Sequence, residues 1–497
     1  MLLGRLGEAG VVPHQRVQHR PTGTVRPMAS SEQPGVGRIT DALEALGTRL
    51  GPGRVQTAAD VRDLHGRDES WHPPAPPDAV VYPRSTEEAV EIVRICGRYG
   101  VPIVPFGAGT SLEGHVAALS GGVSVDMREM NAILRLSVED MDATVQAGVT
   151  RHQLDAKLRP EGVFFPVDPG ADATLGGMAA TGASGTTTVR YGAMRQNVLS
   201  LTVVTAGGEV VRTGSRARKS SAGYDLTRLF IGSEGTLGLI TELTLRVHPT
   251  PEAMTAAVCA FPALEEAVDC VIAVLQNAIP IARIELLDET QVDAVNRHFE
   301  LDHDVAPTLF LEFHGSRTVV ADQAAAVEAL AGELGGRGFA WAADEGERRQ
   351  LWRARHGVYD ACRALRPGAR VFATDACVPI SRLAECILQT RRDIDDSGLV
   401  APIVGHVGDG NFHVSVVLDP DDPDELERAV AFNERLVRRA IALEGTCTGE
   451  HGVGHGKSRF LELEHGAAAV GIMRAVKSAL DPDGLFNPGK VAGAARI

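Results

Sequence analysis

Apolar residues recur at helical spacing in Gly37–Leu50, where Ile39, Leu43, Leu46 and Leu50 fall near one face, and the pattern predicts an amphipathic helix. Trp71-His-Pro-Pro-Ala-Pro-Pro-Asp78 follows. Its prolines lack the N–H that a helix interior or a central strand requires, so the segment marks a boundary. Beyond it, Ala79–Tyr82 reads as a short strand and Ser85–Tyr99 as a helix opened by Ser85 and stopped by Gly100. Val101–Phe106 is a second strand that runs into Gly107-Ala-Gly-Thr-Ser-Leu-Glu-Gly114, and Gly122–Asp126 a third. From about Ala143 to Pro249 the chain is rich in Gly, Thr and β-branched residues, with strands at Leu201–Thr205 and Leu243–Val247. The texture changes at Glu252. Helices at Ala263–Gln276 and Gln323–Leu334 interleave with strands at Ile281–Leu287 and Pro307–His314, without glycine loops, which predicts an α+β cap. From Cys447 the tail returns to the Gly/His-rich style of the first half.

Composition narrows the class. A chain of 497 residues suggests about three domains, and 44% hydrophobic with 23% charged residues is ordinary for a protein with a sizeable core. The formal charge of −15 argues against binding nucleic acid through phosphate neutralisation. No apolar run is long enough for a transmembrane segment. Cys96, Cys259, Cys270, Cys362, Cys377, Cys386 and Cys447 stand singly, without CxxC pairs, which fits a reducing compartment and a cytoplasmic enzyme. A peripheral position at the inner face of the membrane is left open. Met1–Ser30 carries Arg5, Arg16, Arg20 and Arg26 against Glu8 alone. It reads as a disordered leader or an upstream start ahead of Met28, with an organelle transit peptide as the alternative.

The glycine loops suggest a bound dinucleotide, because a turn without Cβ atoms lets backbone N–H groups approach a pyrophosphate. Gly107-Ala-Gly109 starts like a Rossmann fingerprint, but Leu112 stands where the third glycine belongs. Asp126 lies near the offset of a ribose-binding acid, so NAD is not excluded on that count. Gly454-His-Gly-Lys-Ser458 misses a Walker A loop, since His451 takes the place of its first glycine. Further loops at Pro169-Gly170, Gly176-Gly177, Thr181–Gly185, Tyr191-Gly192 and Gly232–Gly238 fall in one block. A single NAD site seldom needs so many close approaches, whereas FAD gripped along its length would use them.

Pro105–Gly114, Val167–Gly177 and Gly232–Thr241 resemble the FAD-binding domain of the vanillyl-alcohol oxidase/p-cresol methylhydroxylase (PCMH) superfamily. His406-Val-Gly-Asp-Gly-Asn-Phe-His413, Thr448-Gly-Glu-His-Gly-Val-Gly454 and Asp481–Lys490 resemble its D-lactate dehydrogenase (cytochrome) and glycolate oxidase branch. The likeness runs from about Val55 to Val491, and is nearest to mitochondrial-type D-lactate dehydrogenases, which share His65–Ser70 and segments like Val371–Pro379. It implies an α+β fold with a two-subdomain PCMH-type FAD-binding domain at 76–250 and a substrate (cap) domain with an antiparallel sheet at 251–446. A leader (1–30) and an N-terminal helical segment (31–75) would precede them, and a tail (447–497) would return to the flavin. It also implies FAD contacts from Pro105, Gly107, Gly109, Thr110, Ser111, Leu112 and Gly114; from Pro169, Gly170, Thr174, Gly177, Ser184, Gly185 and Tyr191; and from Glu234, Gly235, Gly238, Ile240 and Asn487. Some relatives attach flavin through a histidine in the first loop. Thr110 and Ser111 stand mid-loop here, so non-covalent FAD is expected, with His115 just beyond.

Oxidising a 2-hydroxy acid requires a base at the hydroxyl, a clamp on the carboxylate and a hydride acceptor. Asp409-Gly410 is a turn signal, so His406 and His413 should end and begin adjacent antiparallel strands and face each other. With Glu450 they make a set suited to a divalent metal, zinc or manganese, acting as a Lewis acid on the substrate. Taken alone, two histidines at a turn read as surface residues, and Glu450 as a partner for Arg459 or Lys457; the resemblance reverses that. His451 is the expected base, with an ordinary pKa near 6.5, and Arg355 the expected clamp, although Glu345–Arg355 otherwise reads as a solvated helix face. Relatives that oxidise D-2-hydroxyglutarate carry lysine at Ala373 and asparagine at Ser415, so the resemblance implies a smaller D-2-hydroxy acid, D-lactate first. The electron acceptor would be cytochrome c, a quinone or an electron-transfer protein, and a homodimer is left open. The alternatives are a glycolate oxidase-type subunit, a flavin-dependent alkyl-dihydroxyacetone-phosphate synthase, and a non-catalytic flavin- or metal-binding module.

Overall fold

The structure is a computed structural model that describes residues 36–492. The expectations for Met1–Ser30 lie outside these residues. The helix Val36–Leu50 packs on the helix Thr86–Tyr99, burying Ala42 and Leu46. The second helix starts and stops where the sequence predicts: the Ser85 side chain accepts from the Glu88 N–H, and Gly100 adopts φ 64° as a left-handed cap. Its inner face (Ala89, Ile92, Val93, Cys96) covers a small sheet ordered Val55–Gln56, Ala79–Val81, Val123–Asp126, Ile103–Phe106. The last three strands are parallel and the first pair antiparallel. A second sheet is wholly antiparallel, ordered Ile133–Ser137, Asp142–Gln146, Leu239–Arg246, Val198–Val204, Val210–Arg212. Both sheets close on one apolar core, which gives the two-subdomain arrangement expected for this half.

The cap is built on one large antiparallel sheet. Its described order is Arg337–Ala342, Ala253–Ala260, Thr308–Gly315, Arg283–Leu287, Ile403–Gly405, Asn411–Leu418, Arg370–Ala373, with Ala376–Cys377 also paired to Asn411–Leu418. The period-2 geometry of a strand separates two cores. Leu309, Leu311 and Phe313 face helices Leu264–Gln276 and Arg317–Glu333, while Phe310 between them faces Val292, Val295 and Trp352. The helix Arg317–Glu333 starts at Arg317 and not at Gln323, because the Ser316 side chain caps Val319.

The tail comes back to the first half. After the helix Leu461–Leu480, Phe486 bridges Ile103 in parallel, and the Asn487 N–H donates to the Ile103 carbonyl at 2.7 Å. The residues flanking Met1–Ser30 aside, every expected strand and helix has a counterpart, and the proline-rich Trp71–Asp78 segment forms neither.

Candidate active site

A cavity of about 670 Å³ lies where the FAD-binding half, the cap and the tail meet. Among the described residues its wall includes seven glycines (Gly107, Gly109, Gly170, Gly176, Gly177, Gly235 and Gly238), so much of it presents backbone rather than side chain. At Gly176 a Cβ would come within 2.6 Å of the Ala147 Cβ, so only glycine lets the helix Leu175–Thr181 lie this close to the sheet. Pro105, Gly107, Gly109, Thr110, Ser111, Leu112, Pro169, Gly170, Thr174, Gly177, Ser184, Glu234, Gly235, Gly238, Ile240 and Asn487 all line this cavity. Gly114, Gly185 and Tyr191 stand behind it. Gly114 backs onto His455 and His72, Gly185 onto Asp168, and the Tyr191 hydroxyl meets His314 Nδ1 at 2.8 Å. Asp126, the acid at a ribose-binding offset, is fully buried and paired with His65 (2.9 Å) and Arg128 (2.6 Å), so its carboxylate is taken up within the protein and not offered to a ribose.

His406, His413, Glu450, His451 and Arg355 line the same cavity. His406 follows the strand Ile403–Gly405, and the turn Val407–Asp409 leads into Asn411–Leu418, which carries His413. The two strands are antiparallel, as the Asp-Gly signal predicts, and the two rings meet edge to face at 5.5 Å. Each ring's Nδ1 lies by an acceptor: Glu285 Oε1 at 2.8 Å for His406 and the Thr374 carbonyl at 3.1 Å for His413. These partners assign the hydrogen to Nδ1 and turn both Nε2 lone pairs inward. Both Nε2 atoms converge on Glu450 Oε1, at 3.2 and 3.0 Å. Two lone pairs and a carboxylate oxygen repel one another unless a proton or a cation sits among them, and ligand atoms within 4.8 Å of one another suit a divalent ion. Glu450 also accepts from Ser184 Oγ at 2.6 Å, and pairs with neither Lys457 nor Arg459; Lys457 instead meets Glu113 at 3.0 Å.

Charge arranges the rest. Burial resists ionisation of Glu450, but His406 and His413 outweigh it and hold the carboxyl well below its usual range. Burial likewise opposes a charged His406, yet Glu285 and Glu450 raise its pKa well above the ordinary value. His451 stacks flat on His413 at 4.9 Å. Its pKa does not keep the expected 6.5: burial, helped by His413 and Lys457 and resisted by Asp375, pushes it down to about 4. Its Nδ1 has no protein hydrogen-bond partner. Arg355 is buried and not solvated, because the helix Glu345–His356 turns Trp352, Ala354 and Arg355 inward. Its Nε donates to Glu285 Oε2 at 2.7 Å, so Glu285 ties the guanidinium to His406.

Sequence reading passed over Glu285 and Asp375. Asp375, fully buried, accepts from the backbone N–H groups of Glu450 and His451 at 2.9 Å each and from Thr448 Oγ1 at 2.7 Å. Nothing local marks either residue. The only signal was the family-like Val371–Pro379 segment, within which Asp375 interrupts the edge strand between Ala373 and Ala376. Ala373 and Ser415 are register partners across two strands, and both line the cavity.

Comparison with known proteins agrees with this architecture. Residues 77–214 match an FAD binding domain and residues 250–491 the C-terminal domain of FAD linked oxidases. The chain is 51% identical over 465 residues to a probable mitochondrial D-lactate dehydrogenase of Danio rerio, covering 93% of each chain. It is 46% identical to a mitochondrial D-lactate dehydrogenase [cytochrome] of Arabidopsis thaliana, covering 88% of this chain and 77% of that one. Among solved structures, p-cresol methylhydroxylase with substrate bound superposes with a TM-score of 0.75 at 19% identity, over 93% of this chain and 98% of the other, which establishes the PCMH-type fold. The chain belongs to the FAD-linked oxidase family, in the branch of the D-lactate dehydrogenases. It is an FAD-dependent oxidoreductase.

Proposed function

We propose that this protein oxidises D-lactate to pyruvate and passes the electrons to an external acceptor. The observation that carries this reading is that one cavity joins a glycine-walled trough to the cluster of His406, His413, Glu450, His451 and Arg355. FAD held non-covalently along the trough would supply the hydride acceptor; Thr110 and Ser111 stand in its first loop where some relatives attach flavin. His406, His413 and Glu450 would hold a divalent cation, zinc or manganese, whose chemistry is Lewis-acid polarisation of the substrate oxygens. Arg355 binds the carboxylate and fixes which face of the carbon is presented, with Glu285 holding the guanidinium in place. His451, neutral at physiological pH, accepts the hydroxyl proton. Ala373 and Ser415 keep that part of the wall small and uncharged, which suits a monocarboxylate over a dicarboxylate.

The Arabidopsis relative's name supports a cytochrome as the acceptor, ahead of a quinone or an electron-transfer protein. The relatives' mitochondrial names give no support to a cytoplasmic location. Among the described residues no helix is long and apolar enough to cross a membrane. Dye-coupled turnover tests the assignment. D-lactate should give a higher kcat/KM than glycolate, and L-lactate none. A preference for glycolate would favour the oxidase-subunit reading. No dye reduction by any hydroxy acid would favour the synthase or a non-catalytic module.

A further inference from the structure

The segment Thr448–Gly454, which carries Glu450 and His451, has no helix or strand of its own. Two buried carboxylates hold its backbone from opposite sides. From the cap, Asp375 accepts the Glu450 and His451 N–H groups at 2.9 Å. From the trough, Glu234 accepts the Val453 N–H on Oε1 and the Gly454 N–H on Oε2, both at 2.7 Å. Lys457 braces the frame, with Nζ 3.0 Å from Glu113 and 3.8 Å from Asp375. The glycines make room for the frame. At Gly452 (φ 84°) a Cβ would stand 2.8 Å from Glu234 Oε1 and 2.8 Å from His115 Nε2, and at Gly449 it would run into the Asn411 amide.

Glu234 also belongs to the trough. Its own residue and Gly235 line the cavity, its backbone is held at φ 53°, and its carbonyl accepts from Asn487 Nδ2 at 2.9 Å. We infer that Glu234 is a positioning residue that links occupancy of the trough to the placement of Glu450 and His451. A ligand lying against Glu234–Gly238 restrains that loop. Two charge-assisted hydrogen bonds then carry the restraint to Val453 and Gly454, a few residues from the cation ligand. Such a link is reciprocal: FAD and a cation at His406, His413 and Glu450 each strengthen the other's binding. The inference rests on the cofactor and cation reading proposed above.

Mn²⁺ binding to the full chain tests it, read from the electron paramagnetic resonance signal of free Mn²⁺, with FAD bound and after its removal. Removing FAD should weaken Mn²⁺ binding by about fivefold or more, the usual lower range of a coupled pair. Glu234→Gln with FAD bound should bind Mn²⁺ about as weakly as the flavin-free parent, and lose little more when flavin is removed. Asp375→Asn, acting from the cap side, should weaken Mn²⁺ in both states and keep the dependence on FAD. Equal Mn²⁺ affinity with and without FAD in the parent overturns the linkage. So does a Glu234→Gln protein that keeps the parent's full dependence. If no Mn²⁺ binds under any condition, the cation reading fails and the linkage with it; Mn²⁺ and FAD that bind independently reject the linkage alone.

Discussion

His451 differs from a free histidine because of what surrounds it. Burial and the neighbouring His413 and Lys457 push its pKa down to about 4, so it is neutral over the physiological range and keeps an unpartnered ring nitrogen. A neutral base can accept a proton without first releasing one. Replacing it by alanine should lower kcat by about 10²–10⁴-fold, the usual contribution of general base catalysis, with flavin content unchanged. Dye-coupled turnover beside the flavin absorbance of the same preparation checks this, and full turnover in the variant would remove His451 from the role. Substrate size is also a residue-scale matter. Installing the pair Ala373→Lys and Ser415→Asn on two facing register positions should raise kcat/KM for D-2-hydroxyglutarate relative to D-lactate by about tenfold or more, since one well-placed charged contact is worth ~1.5–3 kcal/mol. An unchanged ratio would mean that other residues set the size limit. His406, His413, Glu450 and His451, which line one cavity, were singled out through motifs that resemble a family, since taken alone they read as surface or ion-paired residues. Glu285 and Asp375 were not, because a buried carboxylate looks like a surface one until the fold shows which donors surround it. Arg355 stands on a highly charged helix that reads as solvated, and only the fold shows that its face is buried against the cavity.

At the scale of elements, the helices and strands that the apolar periodicity and the cap residues located are present, but many more elements of both kinds were not singled out in the sequence. The helix Thr86–Tyr99 carries both its start signal, Ser85, and its stop signal, Gly100, in the sequence. The helix Arg317–Glu333 starts six residues earlier than expected, at the Ser316 cap that the sequence reading did not use. Close packing between elements is less visible in sequence, and Gly176 is the test case. Gly176→Ala would place a methyl group 2.6 Å from Ala147 Cβ and 2.8 Å from its carbonyl, forcing the helix Leu175–Thr181 away from the sheet. Overpacking of this kind costs about 1–3 kcal/mol. Chemical denaturation should register that loss, together with weaker FAD binding; unchanged stability would show that the helix has room to shift. The strand pair His248–Pro249 with Val163–Phe164 offers a pH test. Burial first, then Arg246 and Arg218, lower the His248 pKa to about 4. The folded state therefore binds fewer protons there than the unfolded chain between about pH 6.5 and 4, and stability should fall as pH falls through that window. The urea midpoint should drop further over this range in the parent than in His248→Gln; identical profiles would exclude this residue as a source of acid lability.

The whole molecule joins two separately packed halves through a tail that contributes to both. The sequence already showed the halves, because glycine loops stop near Pro249 and alternating helices and strands take over. It did not show how the tail holds them together. Phe486 is fully buried in the first core, and Asn487 Nδ2 donates to the carbonyls of His115 and Glu234 at 3.1 and 2.9 Å. Those contacts span several hundred residues of chain, beyond the reach of any local pattern. Asn487→Ala would leave two buried carbonyls without that donor, at about 1–3 kcal/mol for each group left unpaired. A lower thermal midpoint and loss of FAD on gel filtration are expected; a variant that keeps both would assign the tail no part in the trough. The central claim is that trough and cluster serve one reaction, and anaerobic mixing of the purified holoprotein with D-lactate tests it most directly. The account predicts that the oxidised-flavin absorbance bleaches with D-lactate, stays with L-lactate, and that pyruvate forms in equal amount to the flavin reduced. A yellow protein that D-lactate leaves unbleached, with its metal present, would contradict it.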